Sequence, residues 1–140
     1  MNRFLALWVA IAAISGASAA DELGVRLGRS EYGKHCAICH GSDGRGNGPY
    51  ALYIKAVPSD LTRLAERNGG RFPFNRIYRI IDGRTEIRDH GPREMPVWGW
   101  EYNRLARRDA DVMDGMIDPE VFVSGRILGL IRYLQTIQTE

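Results

Sequence analysis

The sequence predicts an all-α domain with long loops, and three observations predict it. Apolar residues recur at three- and four-residue intervals in several separate stretches, the spacing that gathers them on one face of a helix. No stretch reads convincingly as a strand with period-two alternation. Glycine and proline gather in two long segments, residues 41–58 and 84–100, where neither period holds.

The elements follow in chain order. Met1, Asn2 and Arg3 make a short positive start, residues 4–14 carry no polar side chain, and Ala17-Ser18-Ala19 has an A-x-A pattern. A secretory signal peptide over residues 1–19 is expected, cleaved after Ala19 or Ala20. Its apolar run is too short for a hydrocarbon core of roughly 30 Å at about 1.5 Å per residue. No membrane span is expected after cleavage. Residues 20–140 then form a single domain, roughly 40% apolar, with room for one modest core. The whole chain carries a formal charge of +2, and losing Arg3 leaves +1. That balance implies no large field for nucleic acid.

Within the domain, a first helix is expected over residues 24–39, with Leu27, Tyr32 and Cys36 among its apolar members. Residues 41–58 read as loop. Ser59 or Asp60 can cap a short helix that places Leu61, Leu64 and Ala65 on one face and ends at Gly69-Gly70. Asn75 can cap another, with Ile77, Ile80 and Ile81 inward and Gly83 at the exit. Residues 84–100 read as loop. Residues 100–116 are highly charged, with room for a helical turn. Asp118-Pro119 is a cap and first-turn pair for a last helix reaching about residue 138. Its buried stripe is Ile127, Leu130, Ile131, Leu134 and Ile137.

The two cysteines both fall in Cys36-Ala37-Ile38-Cys39-His40, the C-x-x-C-H signature of c-type haem attachment. Two thiols three positions apart at a helix end can reach two vinyl groups on one porphyrin edge and form thioethers. The adjacent imidazole then stands under the iron. Chance placement of two cysteines and a histidine in this pattern has odds of about three in ten thousand. Other readings are weaker. A redox dithiol lacks a surrounding βαβ pattern. A disulfide across two residues adds little beyond a redox role. Zinc would draw on His35, His40 or His90, but a second C-x-x-C or H-x-H pair is missing.

These residues resemble those of the bacterial class I, mono-haem cytochromes c. The resemblance lies in three pieces. Cys36 to Gly41 is followed by Asp43-Gly44-Arg45-Gly46-Asn47-Gly48-Pro49, Met95-Pro96-Val97-Trp98-Gly99 comes next, and Tyr133-Leu134 lies in the final helix. In that family a small residue and an aromatic stand where Gly28 and Tyr32 lie, at the crossing of the first and last helices. Gly28 permits close approach, and Tyr32 can pack on Leu130 or Tyr133. The long charged segment between Trp100 and Met116 departs from the family pattern. The resemblance implies a cytochrome c fold of 4–5 helices with long loops around one covalently attached haem c. It also implies that the Pro49 carbonyl accepts from the His40 ring. The bland role for Pro49 is a loop stiffener.

His40 supplies one axial ligand in this reading. Met95 is the expected second: it lies in a proline-bounded loop whose Met-Pro context resembles the family's ligand loop, and a thioether favours ferrous iron. His90 and an open position are the alternatives. His35 adjoins Cys36 on the same short segment and is poorly placed. Met113 and Met116, among Asp109, Asp111, Asp114 and Asp118, are expected to pack under a helix or turn. Ile77, Ile80, Ile81, Val97 and Trp98 are candidates for an apolar wall. Tyr53, Trp98, Trp100 and Arg71 are candidates for the propionates. The four glycines of residues 41–48 match no phosphate-loop spacing. Arg104, Arg107 and Arg108 are offset by neighbouring acids and read as a solvated face.

The expected function is electron transfer in the periplasm, not enzyme catalysis, with transient docking to a dehydrogenase or to an oxidase or reductase. Two other functions stay open. One is a dedicated cytochrome subunit of a larger oxidoreductase, docked through Met113, Met116 and Ile117. The other is a haem protein whose open sixth site binds small ligands, with His90 as a distal acid-base group.

Overall fold

Asp118 and Pro119 start the longest helix. The Asp118 carboxylate accepts from the Glu120 N–H at 2.7 Å, and Pro119 takes a first-turn position where a missing N–H costs nothing. In the computed structural model, which describes residues 19–84 and 95–139, six α-helices and three 3-10 turns are present and no strand occurs among the described residues. The expected signal peptide, apart from Ala19, and the candidate His90 lie outside the described residues. No described helix is long and apolar enough to cross a membrane.

The longest helix, α6, runs Pro119–Thr136. It buries Val123, Ile127, Leu130, Ile131, Tyr133 and Leu134, while Ile137 is half-buried just past its end. The first helix, α1, runs Ala19–His35, starting earlier than expected and ending before the cysteines. It buries Gly28, Glu31 and Tyr32 and leaves Leu27 exposed. α1 and α6 cross at Gly28 and Gly129. A Cβ on Gly28 would stand 1.8 Å from the Gly129 carbonyl oxygen, so only glycine allows this approach. Next to the crossing, Tyr32 and Tyr133 pack with ring centroids 5.1 Å apart.

Cys36 breaks the expected single helix in two, and α2 is the short turn Ala37–His40. The following loop clasps α2. Gly46 donates to the His40 carbonyl, Gly48 to that of Cys39 and Tyr50 to that of Ile38, at 2.8, 3.0 and 2.8 Å. A Cβ on Gly48 would stand 2.4 Å from the Ile38 oxygen, which is why the clasp needs glycine there. The loop contains one 3-10 turn, Ala51–Tyr53.

The expected short helix after Ser59 is instead two 3-10 turns, Leu61–Arg63 and Glu66–Asn68. Asp60, not Ser59, caps the first, accepting from the Thr62 N–H at 2.8 Å. Gln138 ties this segment to the end of α6. Its amide donates to the Leu61 and Leu134 carbonyls and accepts from the Ala65 N–H. α3 is Phe74–Asp82. It starts at Pro73 with no side-chain cap, so Asn75 is not the cap: it already lies inside the first turn. Gly83, at φ +64°, ends α3 in the left-handed region.

The charged stretch after Trp98 differs most from expectation. It is largely helical: α4 spans Trp98–Ala106 and α5 Ala110–Met113. Tyr102 and Ala106 are fully buried, because this face of α4 packs on α6 while Glu101 and Arg104 pair on the outer face. α1, α3 and α4 thus all pack on α6.

Candidate functional site

Between α1, α3, α6 and the segments around Ser59 and Met95 lies a cavity walled almost wholly by apolar side chains. It takes Tyr32 from α1, Cys36 from the junction of α1 and α2, His40 from α2, and Ser59, Leu61 and Leu64 from the 3-10 region. α3 contributes Ile77, Ile80 and Ile81, α6 contributes Leu130 and Leu134, and Met95 and Trp98 complete the wall. Its empty space is about 640 Å³, counted out to where it opens on solvent.

His40 is held at one ring nitrogen. Its Nδ1 lies 3.0 Å from the Ser59 carbonyl oxygen. A carbonyl only accepts, so Nδ1 carries the proton and Nε2 keeps its lone pair. Burial lowers the ring's pKa from the ordinary 6.5, opposed in part by the Ser59 bond, so the imidazole stays neutral at physiological pH. A neutral ring with one nitrogen fixed by a backbone carbonyl and the other free is a metal ligand's arrangement. This corrects the expectation for Pro49: Ser59 provides the carbonyl, and Pro49 is exposed.

Cys36 and Cys39 are both free and half-buried. Burial first, then Glu31 and Cys39, pushes the Cys36 thiol up to about 12. A dithiol exchange centre draws on a lowered thiol, and burial acts on Cys36 in the opposite direction. No group of three or more His, Cys, Asp or Glu among the described residues is placed to share a metal ion. Tyr32 donates its hydroxyl to the Gly41 carbonyl at 2.7 Å, locking the α2 exit to α1.

Trp98 is a wall residue with a polar cluster behind it. Its ring lies 5.2 Å from His35 and 5.8 Å from Tyr102. Glu31, only 5% exposed, pairs one carboxylate oxygen with Arg126 and places the other 3.7 Å from His35. That second oxygen and the Tyr102 hydroxyl have no hydrogen-bond partner among the described residues. Burial, followed by Glu31 and Cys36, raises the Tyr102 pKa.

The structure thus gathers Cys36, His40, Met95 and Trp98 around one cavity, together with Ile77, Ile80 and Ile81. Val97 is not part of it. It packs beside Gly83 instead. Tyr53, Trp100 and Arg71 are exposed and do not line the cavity. Met113 and Met116 are 67% and 69% exposed, so they neither reach the cavity nor pack beneath a helix. Ser59, Leu61, Leu64, Leu130 and Leu134 were not foreseen as wall. For Leu61 and Leu64 the helical spacing was a signal, but one that only announced burial. The described residues fit a haem: the lining is apolar, Cys36 and His40 both belong to it, Cys39 lies beside His40 in α2, and the His40 Nδ1 bond to Ser59 leaves Nε2 as the ring's donor. Set against known proteins, the chain matches no family model, no curated protein and no solved structure.

Proposed function

We propose that the protein is an exported mono-haem c-type cytochrome that carries electrons between partner proteins. The single observation that supports this most is the cavity onto which Cys36, His40 and Met95 converge, with His40 already fixed by Ser59. Cys36 and Cys39 would hold the group covalently, and His40 and Met95 would be its axial ligands. Bound there, haem would supply a one-electron couple between ferric and ferrous iron.

The chain's own residues set how that couple behaves. His40, with its proton held on Nδ1, presents Nε2 as a neutral donor. Met95 offers a soft thioether, which favours the ferrous state. Ile77, Ile80, Ile81, Leu130 and Leu134 exclude water and disfavour the extra positive charge of the ferric state. With His40 and Met95 both holding the iron, a substrate would find no place on it, so the reading is a carrier and not an enzyme. Partners would dock briefly over a small interface.

Expression in an oxidising bacterial compartment with haem-attachment machinery tests the proposal. The expected product has the mass of the chain plus one haem, keeps its colour on a denaturing gel, and shows a weak near-red absorption when oxidised. A high-spin ferric spectrum that takes up cyanide at once would overturn the carrier reading, and absence of covalent haem would overturn the whole.

A further inference from the structure

We propose that Arg84 is a positioning residue that fixes Met95 at the cavity by locking a backbone neck between residues 82–84 and 97–99. This rests on the reading of Met95 as an iron ligand.

The geometry comes from three elements. Arg84 follows directly on the end of α3. Its Nε donates to Asp82 at 2.8 Å, and its two terminal nitrogens donate to the two oxygens of Glu120 at 2.7 and 2.9 Å. Such a paired fork holds direction as well as distance. Glu120 lies in the first turn of α6, so Arg84 joins the end of α3 to the start of the longest helix. Asp82 is buried, and the Arg84 side chain is only 23% exposed.

The other half of the neck is the chain just after Met95. A Cβ on Gly99 would stand 2.3 Å from the Asp82 carboxylate, 2.6 Å from Arg84 Nε and 2.7 Å from the Asp82 carbonyl. A Cβ on Gly83 would stand 3.3 Å from the Val97 side chain. Gly99 is therefore pressed against the very ion pair that Arg84 forms. From Val97, whose carbonyl accepts the Trp100 and Glu101 N–H groups at 3.1 and 3.3 Å, Met95 is two residues away. At about 3.3–3.6 Å of reach per residue, Met95 cannot stray far while that anchor holds. The guanidinium thus acts on the cavity wall through backbone, without touching the cavity. Removing it leaves Asp82 buried and unpaired beneath Gly99.

The test uses the haem-loaded protein with Arg84→Met, Glu120→Gln and, as a control, Arg104→Met, which removes a similar pair with Glu101 on the outer face of α4. Two readouts are taken. The first is the rate at which imidazole replaces the thioether of the ferric protein, followed by loss of the near-red absorption. The second is hydrogen exchange at the Trp100 and Glu101 amides, which does not depend on what ligates the iron. Arg84→Met is expected to speed both about tenfold, Glu120→Gln to speed both less, and Arg104→Met to change neither, with helix content unaltered. Unchanged exchange at both amides in Arg84→Met and Glu120→Gln overturns the neck. Faster exchange with an unchanged imidazole rate overturns the link from neck to Met95. A wild-type protein without the near-red absorption defeats the Met95 reading itself, and the positioning role with it. Should Arg84→Met fail to fold, the two rates of Glu120→Gln decide.

Discussion

Gly28 and Gly129 face each other, yet replacing them by alanine is expected to have opposite results. A Cβ on Gly28 would lie 1.8 Å from the Gly129 oxygen, 2.4 Å from its carbonyl carbon and 3.0 Å from the Leu130 nitrogen. All three are backbone atoms and have no rotamer by which to yield. Ordinary contact begins near 3.5 Å, so α1 and α6 must separate by roughly 1.5 Å. That separation loosens Tyr32, Ile127, Leu130 and Ile131, each all but fully buried. Overpacking a core costs about 1–3 kcal/mol where side chains can shift. With backbone on both sides, Gly28→Ala is expected at or above the top of that range, even after the roughly 1 kcal/mol that alanine gains over glycine in a helix. A Cβ on Gly129 meets only the Gly24 oxygen and Gly28 nitrogen at 3.4 Å and the Gly28 Cα at 3.7 Å. Gly129→Ala is therefore expected to be neutral or stabilising by up to about 1 kcal/mol. Urea unfolding at 25 °C, followed by far-ultraviolet circular dichroism, measures both. A Gly28→Ala variant within about 0.5 kcal/mol of the parent would refute the packing argument. So would a Gly129→Ala variant as damaged as Gly28→Ala.

Three further outcomes are expected. Met95→Ala should abolish the near-red absorption, admit cyanide quickly, and lower the potential by some fraction of the roughly 0.8 V that axial ligands span; redox titration beside an optical cyanide assay checks this. Arg126→Met leaves the buried Glu31 carboxylate without its partner. Arg126 is about a third exposed, so the loss in urea unfolding should fall short of the roughly 3–5 kcal/mol of fully buried pairs, and Glu31→Gln with Arg126→Met should recover part of it. Glu120 is held below its ordinary pKa of 4.5, first by the bond from Arg84, so the stability it contributes is present above that value and drains away as pH falls through its lower folded pKa. The urea midpoint of Glu120→Gln should therefore approach that of the parent in acid and fall below it at neutral pH.

Legibility in the sequence followed the range of the interaction. Asp118-Pro119 and the Ile127-to-Leu134 stripe marked α6 because caps and periodicity act within a few residues. The sequence shows residues 84–100 as loop and residues 100–116 only as a charged stretch with room for a helical turn, because Gly99 and a dense run of charges hide the helical period of α4. The buried Tyr102 and Ala106 declare themselves only once α6 covers that face. Ser59 went unnoticed as the partner of His40 because any residue supplies a carbonyl, so no side-chain signal exists for it. Glu31, too, is an unremarkable acid in the sequence. Its burial follows from Arg126, 95 positions away.

By itself the sequence determined the chemistry on offer: two thiols and an imidazole in one pentapeptide, a thioether before a proline, and apolar stripes enough for an all-α core. Tertiary structure alone decided what meets what. It brought Met95 to the same cavity as His40, chose Ser59 over Pro49 to hold the imidazole, let Gly28 and Gly129 touch, and joined Arg84 to Glu120. The physical reason is that side-chain type and local period are written residue by residue. A shared cavity, by contrast, depends on how closely distant backbones approach, and that is set by packing against α6.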